Sequence, residues 1–365
     1  MDTIQKLPIF AKISLFCVGL YAFVAMLYIA QDIILPLLFS IIIATVLHPV
    51  VNLFVRIKIN RVLAIALTLL LTIIVIGAFG VFFFSQASKF SESWPVIVDK
   101  FTQIFNQTIY WAHGYFDISS HKINEWIVQT RGDLLNSGQA AIGATIISVG
   151  NLLVVLFLIP VYVFFILLYQ PLLIDVIRKL FINGNQTQVA EIVTQTKSVV
   201  QRYLIGLLIE AALVAVLNAI GLLILGIQYA ILLGIIGALL NVIPYLGGLI
   251  AVALLMIIAL VTKESPMFAL YVLGIHLFIQ LIDNNYIVPK IVASKVKINA
   301  LASIFVVLAG GALWGIPGMF LSIPLIAILK VLFDHIDSLK PWGLLLGDTM
   351  PASTVFKTKR TKNKE

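Results

Sequence analysis

Long apolar stretches dominate the chain, and polar residues fall in short clusters between them. Runs at about 10–30, 33–55 and 62–85 each supply the roughly 20 apolar residues that a helix needs to span a bilayer. Gln31 and Asp32 form a short turn between the first two runs, and a basic loop (Arg56, Lys58, Arg61) separates the second and third. Cytoplasmic loops collect Lys and Arg, so this loop is expected in the cytoplasm, and the N-terminus with it. Lys6 and Lys12 precede the first run, as in a signal peptide. No small-residue cleavage site follows, so the run reads as a retained first helix.

Residues 86–147 break the pattern. They are mixed and amphipathic, with Trp94, Trp111 and Trp126 and five acidic against four basic residues. By alternation they lie outside, and they read as helices on the outer leaflet with tryptophans at the headgroups. A small separate domain is the other reading, although so short a segment barely buries a core. The fourth span is expected at 148–169 and contains Pro160, tolerable where neighbouring helices satisfy the freed carbonyl. A polar helical segment follows at 170–202 with Arg178, Lys179, Lys197 and Arg202, a balance that points to the cytoplasm. The fifth span, about 203–227, carries one acid, Glu210.

Two later runs, 230–261 and 299–333, each exceed thirty residues. Helix breakers interrupt both near the middle: "NVIPYLGG" at 241–248 and "WGIPGMF" at 314–320. The flanks resemble each other, "GALLNVIP" against "GALWGIP". Proline removes a backbone donor and glycine loosens the helix, so both runs bend sharply or double back. As tilted spans they give eight crossings and place Lys290, Lys295 and Lys297 outside. As re-entrant hairpins they give six, and put those lysines and the tail "KTKRTKNKE" in the cytoplasm, which satisfies the charge bias throughout.

Composition agrees with the pattern. Hydrophobic residues make up 61% of 365 and charged residues 11%, against about 25% charged in a soluble domain. The class is an all-α polytopic integral membrane protein of six to eight spans. The net charge of +8 belongs to its cytoplasmic loops; no basic domain stands outside the membrane to bind nucleic acid. The one cysteine, Cys17, excludes a disulfide framework or cysteine metal site.

Unwound backbone at membrane depth persists only when buried in protein or lining a wet cavity. A pair of Gly/Pro-interrupted apolar segments therefore points to a transport site near the midplane. Between the two breaks lies "QLIDNNYIVPKIVASKVK", 280–297. On a helix, His276, Gln280 and Asp283 or Asn284 share one face. An intramembrane acid is a functional candidate, yet "DNN" also stands where a span begun after Pro266 would end, and could cap it. His276 reads as a satisfied interior histidine, since no second metal ligand stands at helical spacing. Glu210 has no basic partner in its span; it faces a wet cavity or carries its proton.

The stretches "LLNVIPYLGGLIA" (239–251), "QLIDNNYIVPKIVASKV" (280–296) and "GGALWGIPGMFLSIPLIAILK" (310–330) resemble the autoinducer-2 exporter family of bacterial membrane proteins, the PerM-type permeases. The likeness is specific in the last 130 residues and compositional before Tyr203. It carries over Pro244, Gly247, Gly248, Gln280, Asp283, Asn284, Pro289, Gly315, Gly318 and Pro324; Glu210 belongs to none of its motifs. It implies transport of a small solute across the bacterial inner membrane, by export of autoinducer-2 or by sodium or lithium extrusion in exchange for protons. Many such transporters are homo-oligomers, and self-association is expected here.

The chain thus divides into three first helices (1–85), an extracytoplasmic amphipathic helical segment (86–147), a fourth helix with a cytoplasmic helical segment (148–202), a transport core (203–335) and a basic cytoplasmic tail (336–365). Asn241, Gln280, Asn284 and Asn285 offer amide donors and acceptors to a hydroxyl-rich solute, and the backbone at Pro244, Gly247, Gly248, Gly315 and Gly318 adds more. Asp283, with Glu210, would couple a proton or cation, although the two acids stand some 70 residues apart. A non-transporting scaffold is a third reading and gives no reason for the broken helices. No cofactor or metal is expected. No zinc spacing, phosphate-loop lysine or spaced nucleophile and base points to an enzyme.

Overall fold

Each apolar run folds as a helix, because in hydrocarbon only the helix satisfies every backbone donor and acceptor within one segment. The computed structural model describes residues 8–116, 157–176, 178–179, 186–244, 246–292 and 298–348. Among them the regular elements are all helical, apart from one isolated bridge between Ile298 and Gly347. In order they are α1 (Ile9–Ile29), α2 (Gln31–Arg56), α3 (Arg61–Phe116), α4 (Phe157–Val176), α5 (Gln186–Ile224), α6 (Ala230–Asn241), α7 (Gly247–Thr262), α8 (Met267–Ile282), α9 (Ala300–His335) and α10 (Lys340–Leu346). Seven of these, α8 counted with its continuation to Val292 and α9 with its two arms end to end, are long and apolar enough to cross a bilayer. The chain is an all-α polytopic membrane protein.

Two boundaries differ from the sequence reading. Helix α3 does not stop near residue 85; its 56 residues reach about 84 Å, far beyond the roughly 30 Å hydrocarbon core. Hydropathy marks where a chain leaves lipid, and nothing in "SQASKFSES" ends a helix. The amphipathic face expected on the leaflet packs on protein instead. Ile97 is buried with Leu222, Ile227 and Leu255, and Phe90, Trp94 and Phe101 lie against that cluster. Ser93 Oγ and Tyr229 OH share a hydrogen bond of 2.5 Å. Likewise the polar residues 186–202 are the first half of α5 and not a separate element. The fourth span is seen from Phe157 to Val176. Residues 148–156, Trp126, Lys295, Lys297 and most of the basic tail, on which other expectations rested, lie outside the described residues.

Both interrupted runs are helical hairpins. In the first, α6 and α7 have 12 and 16 residues, about 18 and 24 Å, each too short to cross alone. Their turn is so tight that a Cβ on Gly247 would collide with the Leu240 carbonyl. In the second, α9 reverses at Gly315, whose φ of 64° and ψ of −144° suit glycine alone. Beyond the bend the backbones of Gly310 and Gly318 touch. Ser322 Oγ donates to the Val306 carbonyl at 2.8 Å, a pair that an unbroken helix would hold about 24 Å apart. Asn299 caps the start of α9 by accepting from Ala302 N at 2.8 Å, and its amide donates to the Leu345 carbonyl at 2.6 Å, tying α10 beneath it.

Candidate functional site

The first hairpin leaves its polar groups facing inward. Asn241 ends α6 and Gly248 stands in the first turn of α7, and both, with Val242 and Pro244, border the protein interior. Opposite, α8 does not end at "DNN": from Asp283 to Val292 it widens into a π-helical segment. Such wide turns shift side chains relative to a regular helix and recur at functional sites. On this face His276, Gln280, Asp283 and Asn284 point the same way, as helical spacing requires.

These groups form one connected set. Gln280 Nε2 donates to Asn241 Oδ1 at 2.8 Å, and Asn241 Nδ2 donates to Asp283 Oδ2 at 3.1 Å. The carboxylate's other oxygen, Oδ1, is buried without a hydrogen-bond partner, and so is Nδ1 of His276. Asp283 is 2% exposed, which a helix cap at a wet interface would not be. His276 lies inside the site as an interior histidine, with Nδ1 lacking a hydrogen-bond partner.

All of them line a cavity of about 680 Å³. Helix α5 supplies its far wall with Tyr203, Leu207 and Glu210, and α9 adds Ser303 and Ile323. Glu210, 70 residues from Asp283 in sequence and also buried, shares the cavity and stands within its electrostatic reach. Among the described residues no Lys or Arg pairs with either carboxyl. No group of three His, Cys, Asp or Glu is placed to hold a metal among those residues.

Several candidates from the sequence lie elsewhere. Asn285 is exposed and donates to the Leu281 carbonyl at 2.8 Å, because the π turn carries it away from the cavity. Gly315 is an exposed bend and Gly318 a backbone contact, so the second break contributes no unwound backbone to the cavity. Gly247 shapes the first turn without lining the site. Pro289 is exposed on the π segment and Pro324 is buried in the second arm of α9. Tyr203 and Ser303 were missed; Ser303, four residues after the cap Asn299, donates to that residue's carbonyl at 3.0 Å. Only its place one turn into an apolar run could have marked it.

Chemically, the site can hydrogen-bond hydroxyl groups, bind a hard cation through carboxylate and amide oxygens, or take up protons at two carboxyls. Comparison with known proteins narrows the class. The model of the AI-2E family transporter matches residues 18–338. YueF, a proposed transport protein of Bacillus subtilis, is 26% identical over 320 residues, covering 82% of this chain and 83% of its own. YhhT, a proposed transport protein of Escherichia coli, is 24% identical over 358 residues, covering 97% and 99%. PerM, a proposed permease of the same species, is 24% identical over 203 residues, covering 55% and 57%. With its membrane helices, two hairpins and shared cavity, and with the family match running through nearly all of them, the chain belongs to the AI-2E family of transporters.

Proposed function

We propose that the protein exports a small, neutral, hydroxyl-rich solute such as autoinducer-2 across the bacterial inner membrane, with the Asp283 cavity as its binding site. The observation that carries this reading is the chain Gln280–Asn241–Asp283 at the first break, which leaves one buried oxygen of a cavity-lining carboxylate without a hydrogen-bond partner. A neutral solute needs a few fixed polar groups in an otherwise apolar pocket, and about 680 Å³ lies within the range of roughly 300–1,000 Å³ usual for such sites. Nucleotide chemistry plays no part in this reading; the driving force is an ion gradient or the solute's own. Both termini are cytoplasmic in it, a placement supported by the basic loop of Arg56, Lys58 and Arg61 between α2 and α3.

One observation favours a second reading, sodium or lithium extrusion in exchange for protons. Glu210 and Asp283 share the cavity, so the carboxylates and amide oxygens that a hard cation requires stand together. Proteoliposomes loaded with solute or with sodium, assayed with and without a proton gradient, separate the two. Asp283→Asn keeps the hydrogen bond from Asn241 and removes the titratable charge. Under the first reading the variant inserts normally and keeps much of its solute transport, with an altered pH profile. Under the second, Asp283→Asn or Glu210→Gln abolishes cation-driven exchange. Unchanged transport at every pH, with normal membrane levels, removes Asp283 from both.

A further inference from the structure

The second hairpin turns at Gly315, and its open end is held by α10, which touches both arms. On the second arm, Gly343 packs so closely that a Cβ there would collide with Asp334, which pairs with Lys330 at 2.5 Å. The attachment to the first arm runs through Asn299. Its backbone N–H donates to the Leu346 carbonyl at 3.0 Å. Its side-chain Nδ2 donates to the carbonyls of Leu345 at 2.6 Å and Gly347 at 3.1 Å. Ile298, the preceding residue, forms the isolated bridge with Gly347.

The same residue is tied to the cavity wall. Asn299 Oδ1 caps α9 by accepting from Ala302 N, and its carbonyl accepts from both the N–H and the Oγ of Ser303, each at 3.0 Å. Ser303 and Ile298 both line the cavity that holds Asp283. An ordinary helix cap is the plain alternative. Capping needs only a side-chain oxygen, which Asp and Ser supply about as well as Asn. Among the preferred cap residues only Asn adds two N–H donors to that oxygen, and here both bonds go to α10. A cap alone has no use for them. They join α10 to the one turn of α9 that carries Ser303.

We propose that Asn299 is a positioning residue of the transport site: by clasping α10 it fixes Ser303 and Ile298 in the wall of the Asp283 cavity. The proposal rests on that cavity being the site. Two variants loosen the clasp from opposite sides. Asn299→Asp keeps the cap oxygen but sets a carboxylate against the Leu345 and Gly347 carbonyls. Gly343→Ala pushes α10 from Asp334 without touching Asn299. The full-length protein in detergent, with Cys17→Ala, carries either Ser303→Cys or, as a control on the α7 wall of the same cavity, Val252→Cys. Its modification by a methanethiosulfonate bearing a trimethylammonium group is timed. Ser303 is buried, so its thiol replacement should react slowly. Both loosening variants are expected to speed Ser303→Cys several-fold and to leave Val252→Cys unchanged. No acceleration overturns the proposal and leaves a simple cap; equal acceleration at the two positions overturns it as general loosening. If Asn299→Asp does not fold, Gly343→Ala decides by the same comparison. In proteoliposomes with autoinducer-2 as the probe, Asn299→Asp is expected to raise KM several-fold with kcat retained. Asp283→Asn in the same assay separates the two ways of failing. A pH profile altered by Asp283→Asn, with KM indifferent to Asn299→Asp, overturns this proposal alone. Transport indifferent to both variants overturns the cavity reading and this proposal with it.

Discussion

The two hairpins begin from nearly the same sequence and end as different devices. "GALLNVIP" and "GALWGIP" both stop an apolar helix within a turn. In the first, Asn241 stands at the end of the arm and turns its amide to Gln280 and Asp283. In the second, Gly315 makes the bend with its backbone alone, and the arms close on themselves through Gly310, Gly318 and the Ser322 bond to Val306. Trp314 then donates to the Leu27 carbonyl at 3.1 Å, fixing the tip against α1. A break that satisfies its polar groups through side chains leaves hydrogen-bonding capacity for a ligand. A break that satisfies them through its own backbone leaves none. In the proposed reading the first hairpin is a site and the second is a wall.

The largest effect should come from the wall. In Gly310→Val the Cβ would come within 2.6 Å of the Gly318 carbonyl oxygen and closer still to Ser322 Oγ. Backbone cannot yield to this, so a loss of about 3 kcal/mol or more is expected, measured as a collapse in monodisperse yield and thermal midpoint. Gly274→Val on α8, where nothing lies within 4 Å, is the control. Normal yield of Gly310→Val would mean that the two arms do not touch as described.

A paired experiment separates the breaks by function. Gly315→Ala meets no atom within 4 Å, so it suffers only backbone strain, about 1–3 kcal/mol. Transport per folded molecule should be retained. Asn241→Ala removes the acceptor of Gln280 and the donor to Asp283, and leaving such buried groups unsatisfied also costs about 1–3 kcal/mol. Here transport should fall well beyond the loss of folded protein. Equal specific activities in the two variants would erase the distinction between site and wall.

Much of this could be read from the chain. Hydropathy marked the apolar runs, and the excess length of 230–261 and 299–333 with central breakers pointed to a sharp bend or a reversal in each, without deciding between tilted spans and hairpins. Helical spacing placed His276, Gln280 and Asp283 on one face. What it could not give was which α5 residue stands opposite them. Glu210 looked like an isolated acid because separation along the chain says nothing about how α5 crosses α8. The continuation of α3 past residue 85 was hidden for a related reason: its polar-looking turns bury Ile97 and Val98 against other helices, not in lipid. The two glycine-rich breaks looked equivalent because composition does not record whether a backbone packs on itself.

The smallest effect tests the comparison most finely. Gly248 stands in the first turn of α7 beside the amide pair, and a Cβ there would lie 3.2 Å from Gln280 Nε2 and 3.3 Å from Asn241 Oδ1. Both neighbours are side-chain ends and can shift by a few tenths of an ångström. Gly→Ala in a helix with permissive backbone ordinarily stabilises by about 0.4–1 kcal/mol, which should offset most of the crowding. Gly248→Ala is therefore expected to leave the thermal midpoint nearly unchanged. The shift it forces falls on the Gln280–Asn241 bond, which positions Asn241 on Asp283. Solute transport should drop several-fold through a raised KM at intact stability. If the first hairpin were only a second wall, Gly248→Ala would behave as a mild stabiliser with unaltered transport.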